Sequence, residues 1–248
     1  MLTEQRFERI LERLKVKKSI TVAEITEDLG ISESTARRDI TALDKAGKLT
    51  KVFGGAVAAE HTYEMKEPTV AQKVNVRKEE KIKIAQYAAD MIGDNDFVYL
   101  DAGTSVGYMV EFLAEKRAAF VTNAVAHAQR LAAQGNRVLL IGGELKSSTE
   151  AVVGAQAIEL LRKYHFTKGF FGTNGVHPQR GLTTPDSEEA LVKKKAMERR
   201  AQCFVLADSS KIGQVTSITF SDMKESEILT TELKDSSYKK YKNIVEVK

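Results

Sequence analysis

The sequence predicts an α/β protein in two parts: an N-terminal winged helix-turn-helix and a larger C-terminal domain on a doubly wound, mostly parallel sheet. Two observations predict this fold. Residues 1–58 pattern as short helices followed by a hairpin, whereas from residue 77 onward short apolar strands alternate with helical segments. Residues 59–76 contain Pro68 and many charges, without a sustained period. We therefore predict two domains, 1–58 and 77–248, joined by a linker at 59–76.

Composition sets outer limits on the function. The 248 residues are 42% hydrophobic and 29% charged, which is ordinary for a globular protein. A net charge of +4 is too small to identify a polyanion-binding protein, so only a local basic patch can do so. The single cysteine, Cys203, excludes an internal disulfide framework and lies in the apolar run "CFVLA", where a buried strand residue is expected. With no secretory signal and no apolar run long enough to span a bilayer, we expect a cytoplasmic protein without a membrane partner.

Local signals order the first 58 residues into helices and a wing. Thr21 and Glu24 have the spacing of a capping box, and Gly30 can take the left-handed conformation that a sharp turn between helices requires. Ser32 can cap the next helix, which is predicted to stop at Gly47. The runs "KLTKV", "FGG" and "AVA" then predict a two-stranded wing. This order of elements is that of a winged helix-turn-helix.

The helix after Ser32 has an unusual polar face. Ala36, Ile40 and Leu43 form one narrow apolar stripe, and small hydroxyls and cations occupy the other side. Arginine can bind guanine with both arms or hold a phosphate, and lysines in the wing can fix the register on phosphates. The predicted DNA-contacting residues are Ser32, Ser34, Thr35, Arg37, Arg38, Thr41, Lys45, Lys48 and Lys51. The alternative is a solvated helix face, and Asp39, which is poor DNA chemistry, is expected to bond a neighbouring arginine or the first helix.

Beyond residue 76, short apolar runs predict strands whose two faces are both covered, as in a parallel sheet. These runs are 97–101, 119–122, 138–142, 169–172, 203–207 and 227–230. Helical patterns intervene near 77–92, 105–115, 124–133, 150–163 and 186–200. The alternation indicates a doubly wound sheet of mostly parallel strands.

Small polar loops follow five of these strands, with the sequences "DAGTS", "TNA", "GGEL", "GTNG" and "ADSSKIG". In an open parallel sheet such loops gather at the carboxyl edge, where ligands bind. Helix N-termini at this edge offer free N–H groups to a phosphate. The side-chain donors of these loops include Thr104, Ser105, Ser209, Ser210 and Lys211. We predict a small phosphorylated ligand here; the alternative is a set of turns with a purely structural role.

Residues 22–56, "VAEITEDLGISESTARRDITALDKAGKLTKVFGGA", resemble the N-terminal signature of the DeoR family of bacterial transcriptional regulators. The run "S-x-x-T-x-R-R-D", followed by a leucine, a glycine and "GGA", is more specific than a generic helix-turn-helix pattern. One departure concerns the wing, because the family usually has arginine and histidine before the paired glycines and this chain has Lys51 and Phe53. Lysine keeps the charge of arginine but loses the fork that a bidentate base contact needs.

The second half is similar to the sensor domain of the same family, in the runs "DAGTS", "VTNA", "IGGEL", "GLTTPDSEEALVKKKAM" and "VLADSSKIG". The resemblance implies the fold of sugar-phosphate isomerases and CoA transferases, and a sugar-phosphate effector. The effector-binding residues that it implies are Asp101, Gly103, Thr104, Ser105, Thr122, Asn123, Gly142, Gly143, Gly172, Gly175, Glu189, Lys193, Asp208 and Lys211. The carboxylates suit sugar hydroxyls, and the lysines suit a phosphate or a carboxylate. For Glu189 and Lys193 the alternative is a plain i,i+4 ion pair on one helix.

The resemblance implies a repressor of a carbohydrate-utilisation operon, which binds double-stranded operator DNA and is released by a phosphorylated sugar. The segments "MLTEQRFERIL", "VTNA" and "GTNG" resemble those of the fructose-operon repressors, for which fructose 1-phosphate is the expected effector. One short helix contacts few base pairs, so we expect a homo-oligomer, a dimer or a tetramer. We expect no cofactor and no metal, because the four histidines show no paired ligand spacing.

An enzyme is the alternative class: a sugar-phosphate isomerase-like protein with an accessory DNA-binding module. Such an enzyme needs a base, an acid and a ring-opening group around the sugar, and Asp101, Glu189 and His177 are candidates by residue type. The chain has no P-loop, no G-x-S-x-G motif and no Cys/His zinc arrangement. Since an enzyme does not need a winged helix, we predict a regulator and not an enzyme.

Overall fold

The computed structural model describes residues 3–17, 19–46, 48–58 and 69–247. The chain divides into two compact units, Met1–Thr62 and Tyr63–Lys248. The predicted helix end at Gly47 and most of the predicted linker, residues 59–68, lie outside the described residues. Within the described ranges, no helix is both long enough and apolar enough to cross a membrane.

The N-terminal unit combines three helices with a small antiparallel sheet. Its elements are α1 (Thr3–Lys17), β1 (Ser19–Thr21), α2 (Val22–Leu29), α3 (Glu33–Lys45), β2 (Leu49–Val52) and β3 (Gly55–Ala58). The strand order is β1-β3-β2, so the wing has one strand more than the predicted two. The extra strand forms because Ile20 is buried in the core of this unit while it pairs with Ala56 of β3.

The predicted caps of α2 and α3 are confirmed. The hydroxyl of Thr21 accepts the N–H of Glu24 at 3.1 Å, and the Glu24 carboxylate accepts the N–H of Thr21 at 2.8 Å. Gly30 ends α2 in the left-handed region with a φ of 61°. The hydroxyl of Ser32 accepts the N–H of Thr35 at 3.3 Å and so begins α3. Side-chain and backbone chemistry within a few residues therefore sets the helix-turn-helix boundaries.

A small apolar core and one ion pair fix α3 against α1. Ile10 of α1, Ile25 of α2 and Ile40 of α3 are almost fully buried. Asp39 is buried beside them and accepts hydrogen bonds from Nε and Nη2 of Arg6 at 2.7 and 3.0 Å. This bidentate pair confirms that Asp39 bonds the first helix, and it leaves the other face of α3 exposed.

The C-terminal unit contains six helices and twelve strands among the residues described. The helices are α4 (Val70–Val74), α5 (Lys78–Asp90), α6 (Thr104–Met109), α7 (Val125–Ala133), α8 (Ala155–Leu161) and α9 (Ser187–Met197). The strands are β4 (Phe97–Leu100), β5 (Ala119–Thr122), β6 (Arg137–Leu140), β7 (Glu144–Leu145), β8 (Val152–Val153), β9 (Phe166–Gly172), β10 (Gly175–His177), β11 (Gly181–Thr184), β12 (Arg200–Leu206), β13 (Ile218–Ser221), β14 (Glu227–Thr230) and β15 (Ile244–Glu246).

A seven-stranded sheet with the order β15-β14-β12-β9-β4-β5-β6 organises this unit. Every neighbouring pair in it is parallel. All six predicted strands belong to the sheet, and β15 adds an edge strand. From β4 the chain proceeds outward through β5 and β6, then returns to place β9 on the other side of β4. The strand order therefore reverses between β4 and β9, which is where doubly wound sheets bind ligands.

Both faces of the sheet are covered, as the apolar runs predicted. On β4, Tyr99 packs in one buried cluster with Phe171. Its neighbours Val98 and Leu100 point the other way and pack in a second cluster with Ile84 of α5. Since successive side chains of a strand face opposite sides, a run of consecutive apolar residues is buried on both.

The prediction that 69–76 belongs to a linker is wrong, because this stretch contains α4 and is part of the C-terminal unit. Thr69 caps α4, and the N–H of Val70 donates to a carbonyl in the loop between β7 and β8 at 3.2 Å. The hydroxyl of Tyr108 on α6 donates to the carbonyl of Val74 at 3.1 Å. A helix of five residues is too short to show a helical repeat of apolar residues in the sequence. It is stabilised instead by contacts with residues distant in the sequence.

Several predicted helices are shorter than their sequence patterns. The pattern at 150–163 becomes a helix only from Ala155, because residues 152–153 pair with β7 as strand β8. The pattern at 105–115 ends its α-helix at Met109 and continues as a 3₁₀ turn. The small sheet β10-β11-β13 was not predicted at all, since its strands are only three or four residues long.

Candidate functional site

The exposed face of α3 gathers the predicted arginines. A shallow surface on this helix is lined by Arg37, Arg38, Thr41, Ala42 and Lys45. Nη2 of Arg37 lies 3.1 Å from Oε2 of Glu33, and both side chains are exposed. In the described part of the chain, Arg38 has no ion-pair partner. Because exposed i,i+4 pairs contribute only about 0.3–0.5 kcal/mol, both guanidinium groups can turn to an external anion.

Three predicted hydroxyls cluster at the start of α3. The hydroxyl oxygens of Ser34 and Thr35 each lie 2.9 Å from Oγ of Ser32. The structure therefore brings these three residues together at the helix N-terminus, where the positive end of the helix dipole favours a phosphate.

The wing lies beside α3 through Lys51. Its Nζ donates to Oγ1 of Thr41 at 3.0 Å, and its N–H donates to Oδ1 of Asp44 at 2.9 Å. The Thr41 hydroxyl in turn donates to the carbonyl of Arg37 at 2.8 Å. Lys48 is exposed just before the wing. The predicted basic residues of helix and wing thus form one surface of the N-terminal unit.

In the C-terminal unit, a cavity of about 230 Å³ lies at the carboxyl edge of the sheet, between the loops after β4 and β9. Eight of the fourteen predicted effector-binding residues line it: Gly103, Thr104, Ser105, Gly172, Glu189, Lys193, Asp208 and Lys211. The two loops touch because both carry glycine. A Cβ added to Gly103 would lie only 3.1 Å from Cα of Gly172.

A buried ion pair supports this cavity, and its lysine, Lys193, is part of the lining. Oδ2 of Asp101 accepts hydrogen bonds from Nζ of Lys193 and from the N–H of Gly172, the latter at 2.9 Å. Nζ of Lys193 also donates to the carbonyl of Gly172 at 3.2 Å. The pair ties β4, β9 and α9 together, and breaking one side of such a pair leaves a buried charge uncompensated.

Glu189 forms a second polar cluster on the cavity wall. Its Oε1 accepts hydrogen bonds from the hydroxyl of Thr149 at 2.5 Å and from Nζ of Lys146 at 3.0 Å. Asp186 caps α9 by accepting the N–H of Glu189 at 2.9 Å, and it also pairs with Lys146 at 2.9 Å. Among the ion pairs of the described residues, Glu189 and Lys193 do not pair with each other. Glu189 and Lys193 therefore both line the cavity, and each is held there by different partners.

The loop of Lys211 is held from below by α5. Oε2 of Glu80 accepts the N–H of Ser209 at 2.9 Å, and Oδ1 of Asp208 accepts the N–H of Ser210 at 3.1 Å. Burial alone would raise the pKa of the Glu80 carboxyl. Hydrogen bonds outweigh this effect, that from the N–H of Ser209 being the strongest, and lower the pKa to about 2. An ionised Glu80 thus fixes the loop, and the half-buried Lys211 lines the cavity.

Two lysines that sequence reasoning missed also line the cavity, Lys73 of α4 and Lys81 of α5. Lys81 is only 4% exposed, and its Nζ donates to the carbonyl of Lys73 at 2.6 Å. Burial lowers the pKa of Lys81; the carboxylate of Asp208 opposes this shift, and the charge of Lys211 adds to it. A buried ammonium beside other ammonium groups gains from the arrival of an anion.

A signal for Lys81 was present in the sequence. Lys81, Ile84, Ala85 and Ala88 recur at i, i+3, i+4 and i+7, so the lysine stands on the buried stripe of α5. A charge at a core position points to a partner or a ligand. The lining as a whole has four lysines against two carboxylates, with hydroxyls between them, which suits a phosphorylated polyol.

The remaining predicted effector residues lie outside the cavity lining. These are Asp101, which pairs with the lining residue Lys193, and Thr122, Asn123, Gly142, Gly143 and Gly175. Oδ1 of Asn123 accepts the hydroxyl of Tyr99 at 3.0 Å, and its Nδ2 donates to the carbonyl of Val152 at 3.1 Å. Oγ1 of Thr122 accepts the N–H of Ala124 at 3.1 Å. These polar groups hold the loop after β5 in place.

Of the three candidate groups of the enzyme alternative, Glu189 lines the cavity, Asp101 pairs with the lining residue Lys193, and His177 does not line it. Nδ1 of His177 accepts N–H groups of Gln179 and Arg180 at 3.2 and 3.3 Å, and His177 is absent from the residues that line the cavity. Asp101 is bonded to a lysine and a backbone N–H. No group of three or more His, Cys, Asp or Glu side chains that could hold a metal ion occurs among the described residues.

Both halves of the chain match family models. Residues 6–62 match the DeoR-like helix-turn-helix domain, and residues 76–233 match the DeoR C terminal sensor domain. These two segments coincide with the unit that holds α3 and the unit that holds the cavity.

Several relatives are similar to the chain over nearly its whole length. The HTH-type transcriptional regulator FruR of Bacillus subtilis is 35% identical over 249 residues, covering 100% of this chain and 98% of the relative. The lactose phosphotransferase system repressor of Streptococcus mutans is 34% identical, covering 95% and 94%. The transcriptional repressor GlcR of Bacillus subtilis is 32% identical, covering 94% and 89%.

Among solved structures, eIF2B delta from Chaetomium thermophilum superposes with a TM-score of 0.47 at 15% identity, covering 91% of this chain and 70% of that one. Ribose 5-phosphate isomerase A from Methanocaldococcus jannaschii gives a TM-score of 0.42 at 15% identity, covering 54% of each chain.

Proposed function

This chain belongs to the DeoR family of transcriptional regulators, and from that premise we propose that it represses a carbohydrate-utilisation operon and leaves its operator when a phosphorylated sugar binds. One observation carries the proposal: an exposed helix face with two arginines and a lysine-rich cavity occur in the same chain. The first has the chemistry of a duplex-binding surface and the second that of a phosphate-binding site.

In the proposed DNA complex, α3 lies in the major groove. Arg37 and Arg38 contact base edges or phosphates, and the hydroxyls at the start of α3 bond a phosphate. Lys45, Lys48 and Lys51 neutralise the backbone, so binding weakens as salt rises. We assign the DNA-binding domain to residues 1–58 and the effector domain to the unit that begins with α4.

In the proposed effector complex, the phosphate lies among Lys73, Lys81 and Lys211, whose like charges are relieved by a dianion. The sugar hydroxyls then face Glu189 and the hydroxyl of Thr104, since carboxylates and hydroxyls bond polyols. The names of three relatives, FruR, the lactose phosphotransferase system repressor and GlcR, support a sugar-derived effector. Fructose 1-phosphate is the first compound to test.

Repression requires the two sites to be coupled. A coupling of about 1–3 kcal/mol changes operator affinity roughly 5- to 150-fold, enough for a switch. Reciprocity then demands that operator DNA weaken effector binding by the same factor.

The test uses the full chain. Duplexes that it binds are selected from a random library, and their affinity is followed by fluorescence anisotropy with a panel of sugar phosphates. Each sugar phosphate is paired with its unphosphorylated sugar as the matched control. We expect one phosphate ester to weaken binding by roughly fivefold or more while its parent sugar has no effect. Failure to select any duplex, or equal responses to both members of every pair, would contradict the proposal.

A further inference from the structure

Phe53 at the tip of the wing is the most exposed large apolar side chain among the described residues. It is 108% exposed relative to a reference peptide, whereas its neighbour Val52 is 42% exposed. A side chain in that position contributes no burial to the stability of this unit. The ring is therefore fully available to a partner outside the chain.

The backbone beneath Phe53 is firmly held. Gly54 has a φ of 82°, and its carbonyl accepts the N–H of Val22 at 2.9 Å. Gly55 lies so close to β1 that an added Cβ would be 2.2 Å from the carbonyl oxygen of Ile20. The central strand β3 pairs with β1 on one side and β2 on the other. The ring thus projects from a fixed support, which a wedge requires.

The wing tip also lies next to the proposed DNA-binding face. Lys51, two residues before Phe53, bonds α3 with its side chain at Thr41 and with its N–H at Asp44. Lys48 and Lys51 supply positive charge along the same hairpin. The hairpin that carries the ring therefore also carries two lysines and contacts α3, which fits a nucleic acid better than an apolar protein surface.

We propose that Phe53 is an apolar wedge that enters the minor groove of the operator and partly unstacks one base step, bending the duplex. Phenylalanine, leucine, isoleucine and methionine serve this role in proteins that kink DNA, because an apolar group replaces the stacking it interrupts. The inference rests on the proposed function, since it needs a bound duplex, but it concerns a residue that the predicted DNA-contacting set omits. It also assigns a role to the position at which the resemblance leads one to expect histidine.

A wedge gives specificity without a base hydrogen bond. Pyrimidine–purine steps unstack most easily, so the operator should carry a TA or CA/TG step beneath the wing. The wing lysines alone would not produce this preference, because phosphate contacts carry no direct sequence information.

The experiment places 2-aminopurine at successive steps of a duplex selected by the full chain. We expect the wild-type protein to raise the fluorescence at one step on each half-site and to bend the duplex by about 20° or more. Phe53→Ala should lose both signals and bind roughly tenfold more weakly. Phe53→Leu should keep the bend because leucine is also a wedge, and Phe53→His should lose the step preference.

Val52→Ala is the matched control, since it removes the neighbouring exposed apolar side chain, at the end of β2 and just before the turn that carries Phe53. It should keep the bend and the fluorescence change, because Val52 is less than half as exposed as Phe53 and is not at the tip of the turn. A wild-type chain that binds tightly without bending, or a Phe53→Ala variant that bends the duplex as the wild type does, overturns the wedge and leaves the proposed function intact. A wild-type chain that selects no duplex overturns both. Loss of the signals in Phe53→Leu as well as in Phe53→Ala also overturns it.

Discussion

At the scale of single residues, the two adjacent arginines of α3 differ in their surroundings. Arg37 pairs with Glu33 one turn back, and Arg38 has no ion-pair partner in the part of the chain that the structure describes. The cavity shows the opposite situation, because its side chains Lys193, Glu189 and Lys81 are all engaged. In the proposed complexes, a ligand in the cavity competes with existing bonds, whereas DNA meets a guanidinium of α3 without an ion-pair partner among the described residues.

The first prediction concerns Arg38. Arg38→Ala should weaken binding to a selected operator by about 1–3 kcal/mol if the guanidinium makes a bidentate base contact. The measurement is anisotropy at constant salt. Arg162→Ala, which removes an equally exposed arginine from the other unit, is the control and should bind as the wild type does. Unchanged affinity in Arg38→Ala and in Arg37→Ala would show that α3 is not the recognition helix.

The second prediction concerns Lys211. Lys211→Ala should lose roughly tenfold or more in sugar-phosphate affinity, because a charge-assisted hydrogen bond contributes about 1.5–3 kcal/mol. Operator affinity without effector should stay within about twofold, because Lys211 is not in the DNA-binding unit. Titration calorimetry and anisotropy measure the two affinities. The control is Lys163→Ala, because Lys163 is exposed and does not line the cavity. A Lys211→Ala variant that responds like the wild type would place the phosphate elsewhere.

The third prediction concerns pH. Burial, with help from Arg130, lowers the pKa of His127 to about 4, although the charge of Asp101 opposes the shift. His127 binds a proton less readily in the folded state than in the unfolded state. The folded state is therefore at its full stability above pH 6.5, and this part of its stability is lost as the pH falls to about 4. From a shift of that size we expect the free energy of unfolding to fall by about 3 kcal/mol across that window.

Urea unfolding followed by circular dichroism, at steps across that window, measures this slope. His127→Gln stays neutral at every pH and should show a shallower decline. Glu80 does not confuse the result, because its pKa of about 2 moves its own transition below pH 4.5. Parallel curves for wild type and variant would mean that His127 is not the titrating group.

At the scale of secondary-structure elements, β12 and α4 illustrate two ways of being held. Strand β12 is central, paired in parallel with β9 and β14, and buried from Cys203 to its end at Leu206. Helix α4 is five residues long and depends on its cap and on the hydroxyl of Tyr108. A central strand opens only when the sheet unfolds, whereas a short helix held by a few bonds can open locally.

The fourth prediction follows from Cys203 in β12. Burial raises the pKa of its thiol to about 11, with the hydrogen bond from Arg200 acting in the opposite sense. The folded chain should therefore not react with a disulfide reagent at about pH 8, where an ordinary thiol reacts readily. In urea the same sample should react with one equivalent of reagent per chain. This measurement is the control, because the sequence has a single cysteine. Rapid labelling of the folded protein would show that β12 opens far more often than a central strand should.

At the scale of the whole molecule, the chain joins a DNA-binding unit of fewer than 65 residues to an effector unit about three times as long. One recognition helix covers few base pairs, and its affinity alone is modest. Two copies that engage two half-sites raise the affinity through effective concentration without any new base contact.

The fifth prediction is accordingly a homo-oligomer, a dimer or a tetramer. Light scattering should give at least twice the chain mass of 27.5 kDa, with or without operator. The selected operator should contain two related half-sites about one helical turn or a multiple of it apart. A monomer that binds a single half-site tightly would contradict this prediction.

Much of this protein is determined by its sequence alone, because the relevant physics is local. Short continuous apolar runs predict six of the seven strands of the main sheet, and cap chemistry at Thr21 and Ser32 predicts the start of α2 and α3. The exposed face with Arg37 and Arg38 follows from helical periodicity. Each of these inferences needs only a window of a few turns or one strand.

The tertiary structure alone decides which polar groups meet in the cavity. Asp101 finds Lys193 across 92 residues, and Glu189 finds Thr149 rather than the lysine one turn away on its own helix. The strand order places β9 beside β4, so the partners on their loops depend on neighbours that no local pattern encodes. For the same reason α4 lies where the sequence predicts a linker, whereas the place of Lys81 on the buried stripe of α5 is a local signal. Pairings between distant segments are decided by packing of the whole sheet, where burying a charge is favourable only if that packing brings it a partner.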